Sequence, residues 1–258
     1  MPMWNGRALY FEQLFAPVAT GRGCVRFFPT FRYCKGRQIC LFLQTDNSRR
    51  LMQMQKDFTR KQILHSAEKL FAQKGFRSTS MREIAMDAGV GLSNIYNYFE
   101  NKDRIFRTLL MPLTDELDRM LVEHHDPKSV ERLVPELNSM GERFITDMVS
   151  EYLHVVTRYR RQLQLLFFKA QGSSLENFID DFSKRCVEQI QVFMQQIRRN
   201  SAGSGTAVAD FTIRLHTVWM LTLFKEMARQ NMSPHDRRQI FTDYVTFECV
   251  GWRERINR

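Results

Sequence analysis

Residues 80–106 read SMREIAMDAGVGLSNIYNYFENKDRIF, and this stretch decides how the chain folds. Ser80 and Glu83 stand three apart, the spacing of a capping box: the hydroxyl accepts from the backbone N–H of Glu83 while the carboxylate reaches back. A short helix therefore begins there, with Ile84 and Ala85 on its buried side. Gly89 ends it, since glycine alone takes a left-handed turn without steric cost. After Gly89-Val90-Gly91 the pattern becomes helical again over Leu92–Phe99. The small Ala85 suits the place where two steeply crossing helices come closest.

Upstream, Thr59–Gly75 opens on a residue able to cap and closes on a glycine suited to the position after a helix. Ile63, Ala67, Leu70 and Phe71 recur at helical spacing and define one apolar face. The three segments have helix-turn-helix spacing, in which the second helix of the pair is presented to a DNA major groove. Gly91 serves as a tolerated N-cap for that recognition helix. Base edges face the first turn of such a helix, so Leu92, Ser93, Asn94 and, one turn on, Asn97 form the expected base-reading group. Asparagine can pair bidentately with adenine, and leucine can meet a thymine methyl. Ile95 and Phe99 share the apolar side with Ile84 and are expected in the core.

The conjunction of an Ile-Ala helix, an Ala-Gly-Val turn, Tyr96-x-Tyr98-Phe99 and Asn101-Lys102-Asp103 resembles the signature of the tetracycline-repressor (TetR) family. The resemblance covers Asp57–Leu117. It implies that Thr79, Ser80, Arg82, Tyr96, Tyr98 and Lys102 contact phosphates or flanking bases, with Arg82 also in reach of a base; Tyr98 is equally open to a packing role. It further implies a homodimer on a palindromic double-stranded operator, repression as the usual outcome, and a fourth helix that carries ligand occupancy to the DNA-reading heads.

Charge alone would not have led there. Over residues 1–56 nine Lys and Arg face two acids, a balance of +7, whereas residues 57–258 hold 29 against 26, a balance of +3. A basic N-terminal segment therefore produces most of the +10, and the whole-chain charge is weak testimony for nucleic-acid binding. Residues 1–56 show no sustained period and are expected to be either an extension upstream of a natural start near Met52 or Met54, or a disordered basic arm. The remaining expected parts are a helix-turn-helix DNA-binding domain over 57–117 and a helical effector and dimerisation domain over 118–258. The whole is an all-α fold of about nine helices. Pro112 is expected to kink the helix starting at Lys102, and Ser201–Gly205 reads as a linker.

The C-terminal part carries aromatic and methionine stripes at helical spacing. These read first as core, but fourteen Met and twenty-one Phe also suit an adaptable apolar cavity for a flat or aliphatic small-molecule effector. Phe144, Met148, Tyr152, Phe167, Trp219, Met220 and Phe224 are the candidate lining. Two late helices present Leu215, Trp219, Leu223 and Met227, and Phe241, Tyr244, Val245, Glu248 and Trp252, as a face for a second subunit. The five cysteines lack metal-ligand spacing and read as incidental thiols of a reducing cytoplasm. No apolar run is long enough for a membrane span. No metal, cofactor or catalytic grouping is expected: His124-His125-Asp126 reads as a polar helix end, and no phosphate loop or nucleophile elbow is found.

Overall fold

The computed structural model describes residues 38–200 and 208–257, with side chains from Arg49. Every regular element among them is helical. Ten α-helices follow one another: α1 (Gln38–Lys74), α2 (Met81–Asp87), α3 (Leu92–Ile95), α4 (Lys102–His124), α5 (Val130–Ser139), α6 (Glu142–Arg158), α7 (Arg160–Phe168), α8 (Phe178–Asn200), α9 (Asp210–Arg229) and α10 (Pro234–Ile256). The expected linker at Ser201–Gly205 and the first part of the expected N-terminal segment lie outside the described residues. Compactness divides the chain into Met1–Lys56 and Asp57–Arg258.

The first helix departs from the sequence reading. It begins at Gln38 rather than near Thr59, so Thr59 lies within it and caps nothing. Leu51, Met52, Met54 and Phe58 are exposed, and burial starts with Ile63. From there the expected face holds: Ile63, Ala67, Leu70 and Phe71 are all buried. Gly75 follows α1 at φ +80°, its N–H bonded to Phe71 O at 2.9 Å. Phe76 then turns back onto the helix, and the rings of Phe71, Phe76 and Phe106 pack with centroids 5.1–5.7 Å apart. Contacts of this kind add about 0.5–1.5 kcal/mol each beyond area burial. They tie α1 to the first turns of α4.

α4 runs unbroken through Pro112, whose exposed ring stands on its outer side. Its inward residues, Ile105, Phe106, Leu110, Leu113, Leu117 and Met120, lie at helical spacing and are buried along the whole length. One continuous core therefore extends from Ile63 and Ile84 to Val245 and Cys249. In the C-terminal part α8 packs on α9, α10 on α6, and α7 on α9.

The expected subunit face is partly misplaced. Met227 on α9 is buried where that helix packs on α7 and α8, and Phe241, Tyr244, Val245 and Glu248 are buried because that side of α10 packs on α6. Leu215 and Trp219 of the expected face are exposed on α9, joined there by Phe211 and on α10 by Phe247 and Val250.

At the α2–α3 turn, Gly89 has φ +65°, and Val90 N–H closes on Ala85 O at 2.9 Å. Space around Gly89 is open, so only backbone conformation selects glycine there. Gly89→Ala should lower stability by about 1–2 kcal/mol, the cost of a Cβ in the left-handed region, whereas Gly91→Ser should be neutral or slightly stabilising. Urea denaturation of the two variants beside the parent checks this; equal losses would contradict it.

Candidate nucleic-acid interface and ligand cavity

The capping box forms as its spacing requires. Ser80 Oγ accepts from Glu83 N at 3.2 Å, and Ser80 N donates to Glu83 Oε2 at 2.9 Å. Lys74 adds an ion pair with Glu83 at 2.5 Å, and that hydrogen bond is the main reason the carboxyl falls to about 2. α3 is shorter than expected. Regular α geometry ends at Ile95, and the chain reaches Phe99 by tighter steps, Asn97 N to Asn94 O and Tyr98 N to Ile95 O, both near 3.0 Å.

Ile95 and Phe99 are buried, as their apolar side demands, and hold the helix against α2. Leu92, Ser93, Asn94, Tyr96 and Asn97 are thereby turned outward and exposed. Leu92 shows 41% and Tyr96 52% of its surface, a display of apolar and aromatic area that no neighbour in this chain covers. Asn97 Nδ2 donates to Asn94 Oδ1 at 3.1 Å, which leaves the Asn94 amide hydrogens facing solvent. Ser80 and Arg82 are exposed on the adjoining helix, and Tyr98 is half-buried against the core.

Two residues of the expected contact set have inward roles. Thr79 is buried, its hydroxyl donating to Gly75 O at 2.8 Å. The Lys102 ammonium donates to Phe76 O at 2.7 Å and Thr79 O at 2.6 Å and stands 4.2 Å from the Phe76 ring centre. Desolvation lowers its pKa. Lys102 thus closes the α1–α2 corner onto the start of α4, with one of its three ammonium protons left over. Nothing in the sequence pattern announces this, because the two carbonyls converge only after Gly75 has turned the chain.

The C-terminal part holds a half-open cavity of about 820 Å³. Four of the expected lining residues face it: Phe144, Met148, Tyr152 and Met220. Three do not. Phe224 is fully buried against Tyr152 and Phe241, Phe167 packs half-buried elsewhere, and Trp219 is turned outward beside Tyr244 and Phe247. One residue along a helix is a rotation of about 100°, which is why Met220 faces the cavity and Trp219 does not.

Sequence reading missed the cavity's polar groups, His125, His216 and Glu248. Burial pushes both histidines down to about 4. Glu248 is 6% exposed. Desolvation, only partly opposed by a hydrogen bond from the Tyr152 hydroxyl, pushes it up to about 9. His216 Nδ1 lies 3.4 Å from Glu248 Oε1 but outside hydrogen-bonding geometry, so that buried oxygen has no partner among the described residues. At neutral pH the pair is an uncharged acid beside an uncharged imidazole. Nearer the rim, Glu151 meets His124 at 2.6 Å and Arg119 at 2.8 Å. Desolvation there opposes ionisation, yet the two partners together lower the Glu151 pKa.

The fold and the outward-facing turn are those of a helix-turn-helix followed by a helical bundle. Residues 63–109 match the family model described as bacterial regulatory proteins, tetR family. An HTH-type transcriptional regulator of Bacillus subtilis, YfiR, is 26% identical over 135 residues, 50% of this chain and 64% of its own length. A second from the same organism, YhgD, is 35% identical over 68 residues, 26% of this chain and 36% of its own length. The chain thus spans less than two thirds of these relatives. A solved structure assigned to the TetR family, from Syntrophomonas wolfei, superposes with a TM-score of 0.51 at 16% identity, over 75% of this chain and 96% of that one. Residues 63–109 are thus similar to the DNA-binding part of the TetR family, and the helical architecture that follows is similar to that of a solved TetR-family structure.

Glu248 gives the site a signature in pH. Its folded pKa is raised above its unfolded value, so below about pH 4.5 both states are protonated and no penalty is felt. Above that the unfolded state ionises first, and stability falls by up to about 1.4 kcal/mol per pH unit until the folded pKa is reached. Glu248→Gln should therefore match the parent in urea midpoint at pH 5 and exceed it at pH 8. A gap that is the same at both pH values would mean the carboxyl is ionised in the native fold.

Proposed function

We propose that this protein is a ligand-responsive repressor that binds a palindromic operator as a homodimer. The exposed Leu92, Ser93, Asn94, Tyr96 and Asn97, held outward by the burial of Ile95 and Phe99, carry this reading. Leu92, Ser93, Asn94 and Asn97 read base edges in the major groove. Ser80, Arg82, Tyr96, Tyr98 and the remaining proton of Lys102 meet phosphates, which set register without reading sequence. Thr79 contributes through its inward hydrogen bond, by shaping the corner that presents Ser80. In functional terms the helix-turn-helix over 57–117 is the DNA-binding part, and 118–258 holds the effector and dimer functions.

The second subunit covers the exposed apolar stripe of α9 and α10. Five large apolar side chains in one stripe exceed the scattered singles expected on a monomer surface. A two-fold pairing there would set two recognition helices against half-sites about 34–36 Å apart. α4 connects the events: its first turn anchors the DNA-reading corner through Lys102, and Leu117, Met120, Leu121 and His124 on its last turns line the cavity. An effector that moves those last turns acts on the spacing of the two heads.

Selection on random duplex DNA should return a two-fold symmetric site, and Asn94→Ala should change the preferred bases at one position of each half-site. Discrimination of about 1–3 kcal/mol should be lost there. Recovery of the same site with the same affinity by the variant would remove Asn94 from the reading group. Phe247→Glu with Leu215→Glu should sediment as a monomer and bind the full operator at least tenfold more weakly; an unchanged dimer would place the subunit contact elsewhere.

A further inference from the structure

The cavity is apolar over most of its wall, and its charges are not evenly used. Arg132 pairs with Glu136 at 3.2 Å and Arg143 with Asp147 at 3.7 Å, both at the rim. Glu123 and Glu151 are both engaged by Arg119. Each arginine on the wall therefore has its carboxylate already. Glu248 is the reverse case, an acid deep in the wall with no Lys or Arg ion pair among the described residues and one oxygen without a partner. Around it stand the faces and edges of Phe144, Tyr152 and Trp252, the thioethers of Met148 and Met220, and uncharged His216.

This is a complement for positive charge carried on an apolar body. A buried carboxyl with one oxygen unpartnered, held only by the Tyr152 hydroxyl at the other, is costly in either protonation state. A cation beside it replaces the proton and supplies the missing counter-charge in a medium where the attraction is strong. Aromatic faces and polarisable sulfur add attraction for the same charge. A cavity near 820 Å³ accommodates a drug-sized molecule. We propose, resting on the reading of this cavity as the effector site, that it takes a lipophilic organic cation whose positive centre sits against Oε1 of Glu248 and whose apolar body lies among Phe144, Met148, Met220 and Trp252.

The exchange balances in charge: the neutral acid gives its proton to solvent, the cation takes its place, and the site remains neutral overall. Other groups facing Glu248 do not titrate near neutrality. His216 on α9, and His125 beyond it, are pushed down to about 4 by burial. Cys249 on α10 and Cys186 on α8 are pushed up to about 11, again by burial, and Tyr152 on α6 well above its usual range. Glu151 on α6 stays ionised between Arg119 and His124.

Three probes of similar shape separate the possibilities: tetraphenylphosphonium, its anionic isostere tetraphenylborate, and uncharged triphenylphosphine oxide. Each is titrated calorimetrically into the full chain and into Glu248→Gln, from pH 6 to 8 and in buffers of different ionisation enthalpy. The phosphonium should bind once per chain, tighten about tenfold per pH unit, and release about one proton on binding. Glu248→Gln should abolish the proton release and the pH dependence. Should the variant fail to fold, the contrast between probes and the pH slope in the parent decide alone. If the borate or the oxide binds as tightly as the phosphonium, or the phosphonium affinity ignores pH, the cation proposal is overturned while the cavity remains an effector site. If none of the three binds the folded chain, both readings fall.

Discussion

The corner where α1, α2 and α4 meet sets the terms for the rest of the molecule. Phe71, Phe76 and Phe106 fill it, Gly75 lets the chain double back, and Lys102 ties off two carbonyls that the turn leaves pointing inward. An unpaired backbone carbonyl in such a place would cost about 1–3 kcal/mol, so the lysine is a structural closure before it is anything else. Fixing the corner fixes where α2 starts, and so the direction in which α3 shows its polar face. The same lysine opens α4, whose inward residues form one core with the C-terminal helices. The helix-turn-helix and the cavity wall are thus built on one rod.

Two further ties reinforce that rod at its DNA-proximal end. Asp103 accepts from the N–H and hydroxyl of Ser174, both at 2.8 Å, and Phe76 N–H donates to Lys169 O at 2.8 Å. The loop between α7 and α8 is therefore fastened to the helix-turn-helix, while α7 itself packs on α9. Two connections, along α4 and through this loop, therefore join the C-terminal helices to the corner of the helix-turn-helix.

What was legible in the sequence was short-range. The capping box from Ser80 to Glu83, the left-handed turn at Gly89 and the buried face from Ile63 to Phe71 follow from chemistry contained within a few residues, and each formed as read. The long first helix was illegible because residues 49–58 are exposed and the helix carries no amphipathic pattern. Lys102 and Thr79 were read outward because their partners are carbonyls brought together by the fold, not by spacing. Glu248 shows most clearly where the reading stopped. By spacing alone it falls on the side of α10 expected to meet a second subunit. An intrachain partner helix, α6, turns that side inward, and only the packed bundle reveals a carboxyl against a cavity. Trp219 and Phe224 failed for the complementary reason: they share α9 with Met220 but differ from it in rotation about the axis.

Stability and abundance meet in the buried acid. A native state that carries an unsatisfied carboxyl oxygen gives up part of its margin over the unfolded chain, and a molecule that satisfies that oxygen binds only the native state. Such a molecule stabilises by mass action in proportion to its concentration. In a cell, where proteases clear the unfolded fraction, that difference becomes a longer lifetime for the occupied regulator. On the effector reading proposed above, Glu248 would link how much of the protein the cell holds to how much of the small molecule is present, independently of any change at DNA.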